Sequence, residues 1–389
     1  ISGGNLDIIH ILEDSNVDNF DEGCLIHAIV FHQNEILDYL HSSLGIPYGK
    51  NCLKWSILSY NFYAFSKILA SFVKKSKKSN DIEGFEHLFA VGLQAAVKSG
   101  SLEMVEYIVS SAKIDFNKMN EKKEYGLIHK AAQYANIDVF RFISSLPALD
   151  PHTKGVYDQT CLHYAAISGK ADIVKYLINE KQFDVNETNM FGDTPLHLAS
   201  KYGKSDVIKV LIANPKCNIW LRNSNKETAL GIAILNNHTE IAKELLSIPC
   251  SCDKEIESDL QIALQLACRQ GNDQIVQLIA NHKCINLNEK GPLGYSALHW
   301  AAQTGNLNLI KFLTSCKGID INIRDKRQNT PLHKACEYGK YDCAKYLLSL
   351  KDIDVTSKNA VGMTCITLSQ KSHSKDIERL ILDYMHTNH

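Results

Sequence analysis

The sequence predicts an all-α solenoid of helix-turn-helix units joined by β-hairpin or loop fingers, about 11 units preceded by a partial one at the N-terminal end. Three observations carry that expectation. A Thr-Pro-Leu-His-like tetrapeptide recurs in a fixed frame, a glycine stands six residues after its histidine, and an apolar doublet follows the glycine by four or five residues. Such a period outranks local readings of structure, because each unit can bury its apolar face only against the next copy.

The tetrapeptides are Thr160-Cys161-Leu162-His163, Thr194-Pro195-Leu196-His197, Ser296-Ala297-Leu298-His299 and Thr330-Pro331-Leu332-His333, with Gly126-Leu127-Ile128-His129 a looser copy. Their histidines stand 34 residues apart, or three such periods apart between His197 and His299. Two degenerate copies fill that interval, with Gly231 and Gln265 at the histidine position. The frame continues forward to Thr367 and, with one extra residue, back to Gln94.

Within a unit, the first helix is expected to end at Gly100, Gly169, Gly203, Gly271, Gly305 or Gly339, since glycine adopts the left-handed conformation cheaply. Asn237 takes that place in one copy, and Ala135 and His373 in two others. Doublets such as Ile173-Val174, echoed by Leu177-Ile178, give the i, i+3, i+4 stripe of a second helix. Alanine pairs such as Ala165-Ala166 and Ala301-Ala302 allow the first helices of adjacent units to approach closely. Polar segments, as in Asp184-Val185-Asn186, then form the fingers.

This arrangement resembles the ankyrin-repeat family over about residues 91–389, which form a regular array closed by a capping copy with Glu378, Arg379 and Asp383. Residues 1–90 keep the frame without its spacing and are expected to be irregular copies at the start of the stack. They resemble the divergent, shortened ankyrin repeats of parasitic-protist proteins. One copy holds Ile26-His27, another Lys54 and a helix ending at Ile68-Leu69, and Lys74-Lys75-Ser76-Lys77-Lys78 is expected in a polar loop. Residues 1–13 supply only a second helix, Leu6 to Leu12. Its bare apolar residues Ile8, Ile9 and Leu12 predict a truncated N-terminus or a homodimer through that end, because terminal repeats need a polar outer face.

A net charge of -1 gives no general attraction to nucleic acid, and apolar runs of only a few residues exclude insertion of a helix into a membrane. Twelve scattered cysteines read as reduced thiols of a cytoplasmic protein, or of a nuclear one if the lysine run is an address. Histidines placed one per repeat are separated by a helix spacing of ~8–10 Å, too far to share a zinc ion. They read instead as structural, each imidazole bonding its turn to an adjacent backbone group. Cys250 and Cys252 lack a matching second pair. No metal, cofactor or enzymatic activity is expected, since no phosphate loop, dinucleotide fingerprint or nucleophile elbow is present.

The resemblance implies binding of another protein along the concave surface of fingers and first helices. The positions it marks hold Tyr134, Tyr202, Arg269 and Tyr338 after the histidine frame, and Tyr157, Phe191, Leu293, Tyr295 and Arg327 before it. Trp300, beside His299, is divided between core and groove. Tyrosine recurs at one site in three copies where core packing needs no ring, and Tyr, Trp and Arg most often carry hot-spot energy. The expected function is a protein–protein interaction scaffold. The alternative is the recognition arm of a larger multidomain protein, an enzyme, channel or adaptor.

Overall fold

The computed structural model describes residues 20–76, 82–111, 126–249 and 254–388, in which 22 α-helices and one 3-10 turn occur and no strand does. The chain divides into two compact units, Ile1–Phe191 and Gly192–His389. In the first, the described helices pair as α1 (Glu22–Val30) with α2 (Asn34–Ser42), α3 (Lys50–Leu58) with α4 (Phe62–Ser76), α5 (Ile82–Ser99) with α6 (Leu102–Ser111), α7 (Leu127–Tyr134) with α8 (Ile137–Ser145), and α9 (Cys161–Ser168) with α10 (Ala171–Asn179). In the second, α11 (Pro195–Lys201) pairs with α12 (Ser205–Ile212), α13 (Ala229–Leu235) with α14 (Thr239–Leu246), α15 (Lys254–Gln270) with α16 (Asp273–Ala280), α17 (Ala297–Thr304) with α18 (Leu307–Ser315), α19 (Pro331–Glu337) with α20 (Tyr341–Leu348), and α21 (Cys365–Lys371) with α22 (Lys375–Asn388). Inside each unit, first helices stack on first helices and second helices on second helices.

That stacking follows from the repeat. Ala131, Ala132, Ala165, Ala166, Ala301 and Ala302 are fully buried, so the backbones of adjacent first helices approach with little between them. The doublets, Ile173-Val174 and Leu309-Ile310 among them, are buried as the outer layer of the same core. Gly169 and Gly305 end their helices in the left-handed conformation, with φ 78° and 79°. Asn237 does so as well, whereas Ala135 is extended at φ -69° and leaves the next helix to be capped by Asn136. In the two irregular N-terminal copies His32 and Tyr60 take the left-handed place.

The fingers are turns rather than paired strands, and one isolated antiparallel bridge, Arg222 to Thr228, is the only β pairing among the described residues. Asp or Asn side chains build them by accepting the N–H two residues on, at Asp150, Asp184, Asn286, Asp320 and Asp354. The same device recurs at the tips, on Asn189, Asn223, Asp325 and Asn359. Such local bonds satisfy the backbone without a partner strand.

Three expectations need correction. The helix expected to stop at Ile68-Leu69 continues to Ser76, so Lys74 and Lys75 belong to its last turn and not to a loop. Cations there meet the negative end of the helix dipole. The degenerate copy around Gln265 does not have the short first helix of the repeat frame, since its helix starts already at Lys254. His27 is exposed, stacks on Phe31 and makes none of the backbone bonds expected of it. The N-terminal segment with Ile8, Ile9 and Leu12, the lysines at 77 and 78, and Cys250 and Cys252 lie outside the described residues.

Candidate protein-binding surface

The surface is positioned by a histidine network that fixes each finger to its neighbour. In α11, α17 and α19 the cap residue's N–H donates to Nδ1 of His197, His299 or His333 at 3.1–3.2 Å. Nε2 then donates to a carbonyl of the next finger: Glu227 for His197, Asn329 for His299 and Ser357 for His333, at 3.1, 2.9 and 3.1 Å. His129 reaches Thr153 in the same way at 2.9 Å, and His163 completes a capping box with Thr160. One nitrogen accepting and the other donating requires the neutral ring. Burial accordingly holds His129, His197 and His299 below the ordinary imidazole pKa.

The network is interrupted in the second unit. Gly231 supplies no side chain, although Thr228 still caps α13. At the next copy α15 has 17 residues where the other first helices of this unit have seven or eight. The segment from Lys254 to Gln261 has no glycine or proline, and Ile256, Leu260 and Leu264 fall on one buried stripe. Its carboxylate Asp259, buried, receives Arg222 at 2.7 Å. Burial raises the pKa of that carboxyl against the opposing pull of the guanidinium.

The unbroken helix opens a recess of about 730 Å³ between the turns at Asn225–Thr228 and Glu289–Leu293. Its apolar lining includes Leu235, Ile262, Leu266 and Leu293, of which Leu293 is 62% and Ile262 48% exposed. Arg269, Tyr295 and Trp300 line the same recess. The Arg269 guanidinium lies 5.9 Å over the Trp300 ring, and Tyr295 meets Trp300 edge-on at 4.8 Å. Tyr295 is held from behind by stacking on His299 at 5.6 Å and by the Lys334 ammonium 4.9 Å over its ring. Lys334 is itself buried and paired with Glu337 at 2.9 Å and Asp325 at 3.6 Å.

The other expected residues do not join this cluster. In the first unit Tyr134 is exposed, with Lys98 5.1 Å over its ring, and Tyr157 and Phe191 face each other at 5.3 Å. Tyr157 and Asp158 both have positive φ, near 58°, a conformation rarely adopted by bulky residues. In the second unit Tyr202 and Tyr338 are exposed at the C-terminal caps of separate first helices, and the Arg327 carbonyl accepts the Ala360 N–H of the following finger. Trp300, divided between core and groove in the sequence, is half-buried and lines the recess. Sequence reasoning missed Gln261 and Ile262, whose available signal was the lack of glycine or proline before them.

Among the described residues no cluster of His, Cys, Asp and Glu could hold a metal ion, and no helix is long and apolar enough to cross a membrane. The family model for ankyrin repeats (three copies) matches in overlapping stretches that together span residues 93–389. The chain belongs to the ankyrin-repeat family, whose members are in general protein–protein interaction modules. Among solved structures it is similar to the human ASB11 ankyrin repeat domain, at 21% identity and TM-score 0.48, over 58% of this chain and 98% of that one. No curated protein sequence matches the chain significantly.

Proposed function

We propose that the chain is a non-catalytic interaction scaffold that holds a partner protein on the face formed by its fingers and first helices. The observation supporting this is the convergence of Arg269, Tyr295 and Trp300 on one recess beside exposed Leu293 and Ile262. Aromatic and arginine side chains around a concave apolar floor are the usual composition of an interface centre. The face extends well beyond the recess, and Tyr202, Tyr338 and Arg327 enlarge the area available to a second-unit partner, as Tyr134, Tyr157 and Phe191 do in the first unit. A reducing intracellular compartment goes with this reading and rests on the scattered cysteines of the sequence.

Affinity capture on the immobilised chain, followed by mass spectrometry, tests the proposal. A partner retained by the unaltered chain and lost on Trp300→Ala or on Tyr202→Ala with Tyr338→Ala supports it. Identical capture by every variant contradicts it.

A further inference from the structure

The recess exists because one repeat lacks its turn, and the same replacement leaves two polar atoms unpaired at its wall. Gln265 stands at the histidine position, and its Nε2 donates to the Glu289 carbonyl at 3.1 Å, as His333 does to Ser357. One helical turn earlier, Gln261 donates its Nε2 to the Asn286 carbonyl at 3.2 Å. Both amides are thereby fixed in orientation, with the oxygens as the remaining acceptors. In the histidine repeats the corresponding acceptor receives the cap residue's N–H. In α15 the backbone N–H groups are engaged within the helix, so Oε1 of Gln261 and of Gln265 have no partner, and Gln261 is more than nine-tenths buried. Such orphaned buried acceptors are uncommon and mark the wall as a departure from the histidine repeats.

The charges around the opening are unequal in their engagement. Lys226, Arg269 and Lys290 line it without a carboxylate partner among the described residues, and Arg269 is exposed with its guanidinium 5.9 Å over the Trp300 ring. Of the carboxylates, Asp259 is paired with Arg222, whereas Glu227, which accepts a bond from the Asn223 amide, and Glu289 keep their charges, so the three cations outnumber the free carboxylates by one. An exposed guanidinium beside an aromatic ring, with no carboxylate of its own, suits a carboxylate of a ligand. Exposed Ile262 and Leu293 beside it require apolar surface from the same ligand.

We propose that this recess takes a short segment of a partner protein that presents one bulky aliphatic or aromatic side chain next to an Asp or Glu. The apolar side chain covers Ile262, Leu266 and Leu293, and the carboxylate meets Arg269. A volume of about 730 Å³ lies inside the ~300–1,000 Å³ range of specific binding sites, enough for an anchor with its flanking backbone. The inference rests on the scaffold reading and narrows it to one site and one ligand chemistry.

Panning random short peptides on phage against the full chain tests it, with affinities of the selected peptides measured by the change in tryptophan fluorescence. The expected peptides share a bulky apolar residue beside Asp or Glu. Arg269→Ala should weaken them about tenfold or more, Ile262→Lys should abolish binding, and Arg269→Glu should redirect selection toward peptides with Lys or Arg at the flank. Both positions are exposed, and unchanged thermal unfolding establishes that the variants remain folded. Selected peptides without the apolar–acidic pairing, or unchanged affinity in Arg269→Glu and Ile262→Lys, overturn the proposal. Should these variants still capture the native partner while Tyr202→Ala with Tyr338→Ala loses it, the recess inference falls and the scaffold reading stands. Capture indifferent to both sets removes both.

Discussion

Replacing His299 measures what the histidine network contributes, and the chain supplies its own control. The ring is fully buried, accepts the Ser296 N–H at 3.1 Å and donates to the Asn329 carbonyl at 2.9 Å. His299→Ala leaves the Ser296 N–H buried and unpaired, at ~1–3 kcal/mol, and takes from the Asn329 carbonyl one of two donors, the Asp325 N–H remaining at 2.9 Å, at ~0.5–1.5 kcal/mol, so a loss of about 1.5–4.5 kcal/mol is expected before any cavity cost. Gln265 shows that a glutamine at this frame position still reaches the next finger's carbonyl, at 3.1 Å. His299→Gln should therefore keep the bond to the carbonyl and lose about 1–3 kcal/mol, the cost of the unpaired Ser296 N–H. Urea unfolding followed by circular dichroism gives both values. Equal losses for Ala and Gln, or a loss for Ala under about 1 kcal/mol, would refute the assignment of the stability to the inter-finger bond.

Gly305→Ala should cost about 1–2 kcal/mol, because φ is 79° there and the nearest obstruction, the Lys340 side chain at 2.7 Å, can move aside; thermal unfolding checks it. Acidification should destabilise the second unit through His197 and His299, against an opposing contribution from His333, whose pKa lies above the ordinary imidazole value despite its burial. The folded pKa values of His197 and His299 are depressed by burial, so the unfolded chain takes up protons first, and stability present above the unfolded value is lost as pH falls through the folded one. Each such ring contributes a slope of up to about 1.4 kcal/mol per pH unit below ~6.5, and urea unfolding at neutral and mildly acidic pH should show the slope reduced in His299→Gln. Asp259→Asn weakens the Arg222 contact that fastens the long helix and should increase hydrogen exchange in the first two turns of α15, while the rest of the helix remains protected. Unaltered exchange there would show that the ion pair does not hold the extension.

The repeat was legible because its requirements are met by particular residues at fixed positions: a threonine or serine to cap, a histidine to bond the next finger, alanine where two helices touch, and glycine where the chain turns left-handed. Where one of those residues is missing, the frame still fixes the register but no longer the local structure. Ala135 marks the end of a helix that closes without a left-handed residue. Gln265 occupies the histidine place, yet the absence of a cap before it allows α15 to begin at Lys254. His27 matches the frame and lacks the finger it would bond. The candidate surface was legible as residue types only. The family resemblance marks Arg269 and Tyr295 as contact positions and leaves Trp300 divided between core and groove, whereas their meeting depends on the length of α15 and on the buried Lys334 behind Tyr295, neither of which a period of 34 residues encodes.

Hydrogen exchange of the chain alone and with its captured partner tests binding by the finger and first-helix face most directly. Slowed exchange in the turns at Asn225–Thr228 and Glu289–Leu293, and in the first helices beside them, is the predicted result. Protection confined to the second helices α12, α14, α16 and α18, with the recess unchanged, would contradict it.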